Sequence, residues 1–141
     1  MQEIDNDDWK VGFTASAFDL LHAGHVMMLE EASRNCDYLI CGLHVDPSLQ
    51  RPEKNKPIQS LLERYIQLEA VKYVGEIIPY ETESDLRQIL QWINPSVRFI
   101  GEEYKGNLFT GRDLDIPIHY NSRLHSYSSS ELRERLEKAN V

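Results

Sequence analysis

The stretch Val11–Leu29, VGFTASAFDLLHAGHVMML, decides the fold of this chain. Its first residues are apolar or small, which is typical of a strand that is covered on both faces. Its last residues, from Val26 on, continue a helix that begins near Ala23. A strand, a tight turn and a helix start together leave unpaired backbone N–H groups and the positive end of the helix dipole facing the turn. The sequence therefore predicts an anion site at this turn.

Two histidines, His22 and His25, lie at the predicted helix start with only small residues between them. Residues three apart share one face of a helix, so both imidazoles can point the same way. A metal site is the alternative, but a third and a fourth ligand are not evident in the sequence. We therefore predict a nucleotide-handling site rather than a metal site.

The rest of the chain alternates between strand-like and helix-like segments. We predict further strands over 38–45, 76–78, 97–101 and 116–120, and helices over 23–34, 60–73, 84–93 and 129–138. Pro79 is expected to end the third strand, and Pro117 places the fifth strand near a sheet edge. Residues 46–56 and 102–115 are predicted loops.

This alternation with right-handed crossovers predicts an α/β fold, a Rossmann-like, doubly wound parallel five-stranded sheet in a single domain. Ligands of such sheets bind beyond the carboxyl ends of the strands, where the strand order reverses. The exit of the first strand and the loop after the fourth strand are the predicted places for a ligand.

Composition narrows the possible partners. A length of 141 residues fits one domain, which we assign to 9–141 after a flexible acidic lead-in over 1–8. The net charge of −8 argues against nucleic acid as a partner, whereas a small phosphorylated ligand needs only a local positive pocket. Because there is no long apolar run and no signal-peptide pattern, we expect no membrane partner and a cytoplasmic location. Cys36 and Cys41 are expected to be reduced thiols.

Four segments, in order along the chain, resemble the small nucleotidyltransferases that carry an HxGH signature. Phe18–His25, FDLLHAGH, contains the signature itself. Glu69–Ile77 is similar to the family's RYVDEV segment, Gly101–Gly106 to its GDDW-type loop, and Arg123–Ser130 to its RTEGISTT segment. The pattern is closest to glycerol-3-phosphate cytidylyltransferase, and the segments together span almost the whole chain.

The resemblance implies transfer of CMP from CTP to a phosphorylated small molecule, glycerol 3-phosphate or a related phosphomonoester, with release of pyrophosphate. CTP is favoured because the Gly101–Tyr104 loop resembles that of the cytidylyltransferases. ATP is the alternative, since heptose-phosphate and flavin adenylyltransferases share HxGH. The resemblance also implies Mg²⁺ carried by the triphosphate, and a homodimer with Lys72–Val74 near the interface.

The same resemblance assigns roles to individual residues. The catalytic residues are His22, His25, Arg123 and Lys56. The nucleotide-binding residues are Ala17, Phe18, His22, Gly24, His25, Glu103, Arg123, Tyr127, Ser128 and Ser129. The acceptor-binding residues are Lys54, Lys72 and Arg87, and no residue is assigned to a metal. Ser128 and Glu131 also have the spacing of a capping box, which is compatible with phosphate binding.

Two other classes are weighed against this interpretation. A nucleotide-binding module without transfer activity is one, because Ser16 and Gly75 depart from the family's pattern. A dinucleotide-binding domain is the other, and it is disfavoured because no GxGxxG motif follows the first strand.

Overall fold

A parallel sheet organises the part of the chain that the structure, a computed structural model, describes: residues 9–122 and 128–139. Its five strands follow the spatial order β3-β2-β1-β4-β5, and all neighbouring pairs are parallel. The strands are β1 (Val11–Ser16), β2 (Tyr38–His44), β3 (Glu76–Tyr80), β4 (Val97–Gly101) and β5 (Ile118–Asn121). The chain runs from β1 towards one edge and returns through β4 to the other. This confirms the predicted doubly wound topology and places the reversal of strand order between β1 and β4.

Helices cover both faces of the sheet. They are α1 (Ala23–Ser33), α2 (Leu61–Glu69), α3 (Glu83–Ile93) and α4 (Ser129–Ala139). On one face, Leu29 of α1 and Leu68 of α2 are fully buried in a core cluster with Phe99 of β4. On the other face, α3 packs on Phe13 in a second cluster. We call these the α1 face and the α3 face.

The amino-terminal halves of the helices are fixed by local capping. Ser60 begins α2, and its hydroxyl accepts from the Glu63 N–H at 3.2 Å. Thr82 begins α3, because its hydroxyl accepts from the Asp85 N–H at 3.0 Å. The prediction that α3 starts at residue 84 is therefore wrong by one residue. None of the helices in the described ranges is long and apolar enough to cross a membrane.

Three element ends differ from prediction by two residues or more. β3 continues through Pro79 to Tyr80, because β3 is an edge strand and a missing N–H can be tolerated there. α2 ends at Glu69 rather than at residue 73, because the next N–H, that of Ala70, donates to the Gln67 carbonyl three residues back at 3.2 Å. β5 is an edge strand, as the proline predicts, but it begins at residue 118 rather than 116.

Candidate active site

A cavity of about 510 Å³ opens at the carboxyl end of the sheet, where the strand order reverses. Its walls come from the ends of β1 and β4, the first turn of α1, the loop after β2, the start of α3 and the start of α4. The cavity therefore reaches both faces of the sheet. The α1 face supplies the histidines, and the α3 face supplies a separate set of charged side chains.

The two histidines cap the start of α1 through their Nδ1 atoms. The Nδ1 of His22, the N-cap residue, accepts from the Gly24 N–H at 3.0 Å, and the Nδ1 of His25 accepts from the His22 N–H at 3.1 Å. Since both Nδ1 atoms are acceptors, the proton of each neutral ring is on Nε2. The ring centroids are 4.0 Å apart, and both residues line the cavity. His25 therefore presents an Nε2–H donor to the cavity at the positive end of a helix.

His25 is held in its neutral form. Burial, assisted by the neighbouring His22, lowers its pKa to about 4, and Asp19 opposes the shift. At neutral pH the imidazole is therefore an uncharged hydrogen-bond donor rather than an imidazolium cation.

The turn that leads into the histidines has unusual backbone geometry. Phe18 and Leu20 adopt left-handed φ angles of 49° and 51°, which cost energy for residues with a side chain. Between them, the buried Asp19 carboxylate accepts from the Ile58 N–H at 2.8 Å and from the Gln59 N–H at 3.0 Å. The turn is thus held by the segment that precedes α2.

Asp19 also joins the turn to the last helix. Arg133 of α4 donates to the Asp19 carboxylate at 3.0 Å. Ser128, which precedes α4, lines the cavity, and its hydroxyl accepts from the Glu131 N–H at 3.1 Å. The predicted capping role of Ser128 is therefore confirmed.

Arg64 of α2 links the backbone segments beneath the site by hydrogen bonds. Its side chain is 2% exposed and donates to the carbonyls of His44 at 2.7 Å, Val45 at 2.7 Å, Ala17 at 3.0 Å and Gln59 at 3.2 Å. These carbonyls belong to the ends of β1 and β2 and to the segment before α2. Arg64 therefore fixes the edge of the sheet from which the histidines emerge.

On the α3 face, Arg98 of β4 is 6% exposed and lines the cavity. Its guanidinium donates to the Thr110 carbonyl and lies 5.3 Å from the centre of the Phe109 ring. Burial lowers its pKa. The Thr110 hydroxyl in turn donates to the Glu83 carboxylate at 2.7 Å.

The loop after β2 contributes two further cations to the cavity lining, Arg51 and Lys54. The Lys54 ammonium donates to the Tyr104 hydroxyl at 3.0 Å, which holds the loop against the turn that follows β4. Arg51 pairs with Glu53 at 3.2 Å on the exposed side. Both cations are therefore held beside the cavity by contacts within the protein.

The structure brings most of the predicted site residues together. The cavity lining includes Ala17, Phe18, His22, Gly24, His25, Lys54, Glu103 and Ser128. Ser129 is the first residue of α4. Arg123 and Tyr127 lie outside the described residues, so their roles stay predictions.

Three predicted residues are not brought into the cavity. Lys72 precedes β3 and so lies towards the amino-terminal edge of the parallel sheet, opposite the site. Arg87 is occupied by a two-bond ion pair with Asp113 at 2.7 and 2.8 Å. Lys56 is exposed and absent from the lining, although its two sequence neighbours are part of it. Their roles in this site remain untested predictions.

Sequence reasoning missed the charged residues of the α3 face. Arg98 stands between apolar residues in a strand, and a charge in an apolar strand is itself a signal, because arginine is seldom buried without a partner. Arg51 and Glu83 carry no comparable signal. They look like solvated charges until the topology places them at one edge of the sheet.

A doubly wound sheet with imidazole donors and a helix start at its reversal point is an arrangement found in many nucleotide-binding α/β domains. The cytidylyltransferase-like family model matches residues 13–135. The chain belongs to this family of nucleotidyltransferases, which confirms the resemblance of the four segments.

Curated relatives agree with this assignment. The chain is 28% identical over 135 residues to the bifunctional protein HldE of Campylobacter jejuni, covering 95% of this chain and 29% of that protein. It is 36% identical over 104 residues to the HldE of Acidiphilium cryptum, covering 73% of this chain and 21% of that protein. The chain thus spans less than a third of the length of these relatives.

Solved structures show the same fold. The lipopolysaccharide core biosynthesis protein from Thermoplasma volcanium matches with a TM-score of 0.59 and 19% identity, covering 94% of this chain and 89% of that one. Pantothenate synthetase from Thermus thermophilus matches with a TM-score of 0.56 and 16% identity, covering 89% of this chain and 64% of that one. At these identities the similarity concerns the fold.

Proposed function

We propose that this chain transfers a nucleoside monophosphate from a nucleoside triphosphate to a phosphorylated small molecule and releases pyrophosphate. The observation that supports this most directly is the geometry of His22 and His25. Their Nδ1 atoms are used by the backbone at the start of α1, so each neutral ring has its N–H donor on Nε2, at the cavity where the strand order reverses.

The proposed chemistry needs no nucleophile from the protein. An oxygen of the acceptor phosphate attacks the α-phosphorus, a new P–O bond forms, and the bond to the bridging oxygen of the β-phosphate breaks as pyrophosphate leaves. The Nε2–H of neutral His25 donates to an α-phosphate oxygen, where negative charge builds up in the transition state. The first turn of α1 adds the field of its dipole.

The start of α4 is the proposed second contact for the triphosphate. The Ser128 hydroxyl already accepts from the Glu131 N–H, so its own hydrogen remains available for a phosphate oxygen. Glu103, Ser129, Arg123 and Tyr127 complete the proposed nucleotide site by resemblance, and Lys54 is the proposed cation at the attacking phosphate.

Mg²⁺ is proposed to arrive with the triphosphate. The described ranges contain no group of three or more His, Cys, Asp or Glu side chains that could hold a metal ion. Phosphate oxygens are good ligands for Mg²⁺, and the ion would neutralise part of their charge. A homodimer through the region of Lys72–Val74 also stays a proposal.

We propose ATP as the nucleotide, because similarity to HldE proteins over 95% of the chain favours an adenylyltransferase. CTP is the second candidate, supported by the resemblance of the Gly101–Tyr104 loop to that of the cytidylyltransferases. A module that binds a nucleotide without transferring it is the alternative from another class.

A matrix of ATP, CTP, UTP and GTP against phosphorylated acceptors, scored by pyrophosphate release, tests the proposal. We expect turnover with ATP or CTP. His25→Ala is expected to lower kcat about 100- to 1,000-fold, the typical cost of losing one transition-state donor, while circular dichroism shows a folded protein.

His119→Gln is the matched control, because His119 lies outside the cavity lining and contacts Glu31 at 2.8 Å. It should retain turnover. Nucleotide binding without pyrophosphate release across the whole panel would favour the binding module, and a fully active His25→Ala protein would contradict the mechanism.

A further inference from the structure

The two buried arginines of the described chain are satisfied very differently. Arg64 donates to four carbonyl groups, whereas the side chain of Arg98 makes one hydrogen bond, to Thr110. Within the described residues neither forms an ion pair, so Arg98 keeps N–H donors without a protein acceptor in a wall of the cavity. Burying such a cation costs free energy, and packing alone does not require a charged residue at this position.

The surroundings of Arg98 define the kind of group it can hold. The Glu83 carboxylate also lines the cavity, and its charge partly opposes the lowering of the Arg98 pKa by burial, although the two side chains form no ion pair. The rings of Phe109 and Tyr80 also line the cavity. A group between the guanidinium and the carboxylate must accept a hydrogen bond from one and donate to the other. A hydroxyl group does both.

The position of this group of residues points to one of the two substrates. The histidines belong to the α1 face, and Arg98 and Glu83 lie against the α3 face of the same sheet. With the triphosphate at the start of α1, the cavity on the α3 face is left for the body of the acceptor.

We propose that Arg98 and Glu83 determine acceptor specificity by holding the hydroxyl groups of a hydroxyl-rich, singly phosphorylated acceptor. Acceptor hydroxyls accept from the Arg98 guanidinium and donate to the Glu83 carboxylate, while C–H groups lie against Phe109. This inference rests on the proposed function. A second anionic group on the acceptor would lose by repulsion from Glu83 what it gains from Arg98, whereas a neutral hydroxyl is satisfied by both, so polyol and sugar phosphates are selected over phosphorylated carboxylic acids.

The test uses the whole chain and the variants Arg98→Met and Glu83→Gln. The probes are glycerol 3-phosphate, a hexose 1-phosphate and 2-phosphoglycolate, each assayed for pyrophosphate release. We expect the wild type to prefer the two hydroxylated acceptors. Each variant should raise the KM of the preferred acceptor about 10- to 100-fold, the effect of one lost hydrogen bond to a charged group, with the nucleotide KM unchanged.

Stability separates a binding role from a structural one. Because Met replaces a poorly satisfied buried cation with an apolar chain, Arg98→Met should unfold at the same urea concentration as the wild type or at a higher one. Arg64→Met removes the partner of four carbonyls and should unfold at a clearly lower concentration. Arg112→Met, at an exposed residue of the loop that carries Thr110, is the matched control for activity and should behave as the wild type.

The outcomes distinguish this inference from the proposed function. If turnover is normal but Arg98→Met and Glu83→Gln leave the acceptor KM and the preference unchanged, or if 2-phosphoglycolate is preferred, the inference is wrong and the proposed function stands. If no acceptor gives pyrophosphate, the proposed function fails. Calorimetric binding of the hexose 1-phosphate then decides the inference, which requires weaker binding by both variants than by the wild type.

Discussion

His25 shows how one residue links stability to pH. Its pKa is lowered from 6.5 to about 4 in the folded protein, mainly by burial, so between these values the unfolded chain binds a proton that the folded chain does not. Stability contributed by the neutral ring is therefore complete above pH 6.5 and is lost as the pH falls towards 4. Protonation of Nδ1 would also remove the acceptor of the His22 N–H.

We predict that this titration can be measured with the variant His25→Gln, which has no titrating ring. Urea unfolding followed by circular dichroism should show a wild-type free energy of unfolding that decreases as the pH falls from about 6.5 to about 4. In the variant the decrease should be smaller, because that proton is no longer taken up. Parallel pH profiles for the two proteins would contradict the prediction.

At the scale of elements, Asp19 holds several parts of the site together. Its carboxylate accepts from the two backbone N–H groups that precede α2 and from Arg133 of α4. Since Ser128, at the start of α4, lines the cavity, the position of this helix relative to the histidine turn shapes the proposed triphosphate site.

We predict that Asp19→Asn loosens α4. An amide oxygen can keep one backbone bond, but the ion pair with Arg133 is lost, so amides of α4 should exchange hydrogen faster and the nucleotide KM should rise several-fold. Glu134→Gln is the control on the same helix, because it removes only the exposed pair with Lys138. Unchanged exchange in α4 of Asp19→Asn would show that the helix is held by other contacts.

Local sequence patterns predicted the helices and strands well. Side chains whose partners are distant in sequence could not be predicted in the same way. The apolar run of β2 and the capping spacing of Ser128 and Glu131 at the start of α4 are short-range features, and the sequence shows both. Arg64 lies in a helix with exposed neighbours, and its carbonyl partners at Ala17 and His44 are 47 and 20 residues away. No local pattern reveals such a residue, because its environment exists only after β1 and β2 have paired.

At the scale of the whole molecule, we expect the centre of the sheet to become accessible to solvent only when the whole domain unfolds. Cys41 of β2 is fully buried, and burial raises its pKa to about 12. β2 lies between β1 and β3, so solvent reaches this thiol only when the sheet is disrupted. Cys36, which is partly buried, also has a raised pKa.

We predict that Cys41 labelling reports global unfolding. In the variant Cys36→Ser, Cys41 is the single thiol, and a disulfide reagent at about pH 8 should label it slowly in the native state. The labelling rate should increase with urea in parallel with the loss of circular dichroism signal. Rapid labelling without urea would indicate local opening of β2.

The cavity is lined from both faces of the sheet at the point where the strand order reverses. The two core clusters beneath it are nevertheless separate. A substitution next to α3 therefore disturbs packing on one side of the strands and leaves the other side intact. Descendants of one ancestral domain can therefore exchange side chains under α3, where we propose the acceptor to lie, and still inherit unaltered the histidine turn that we propose for the phosphates.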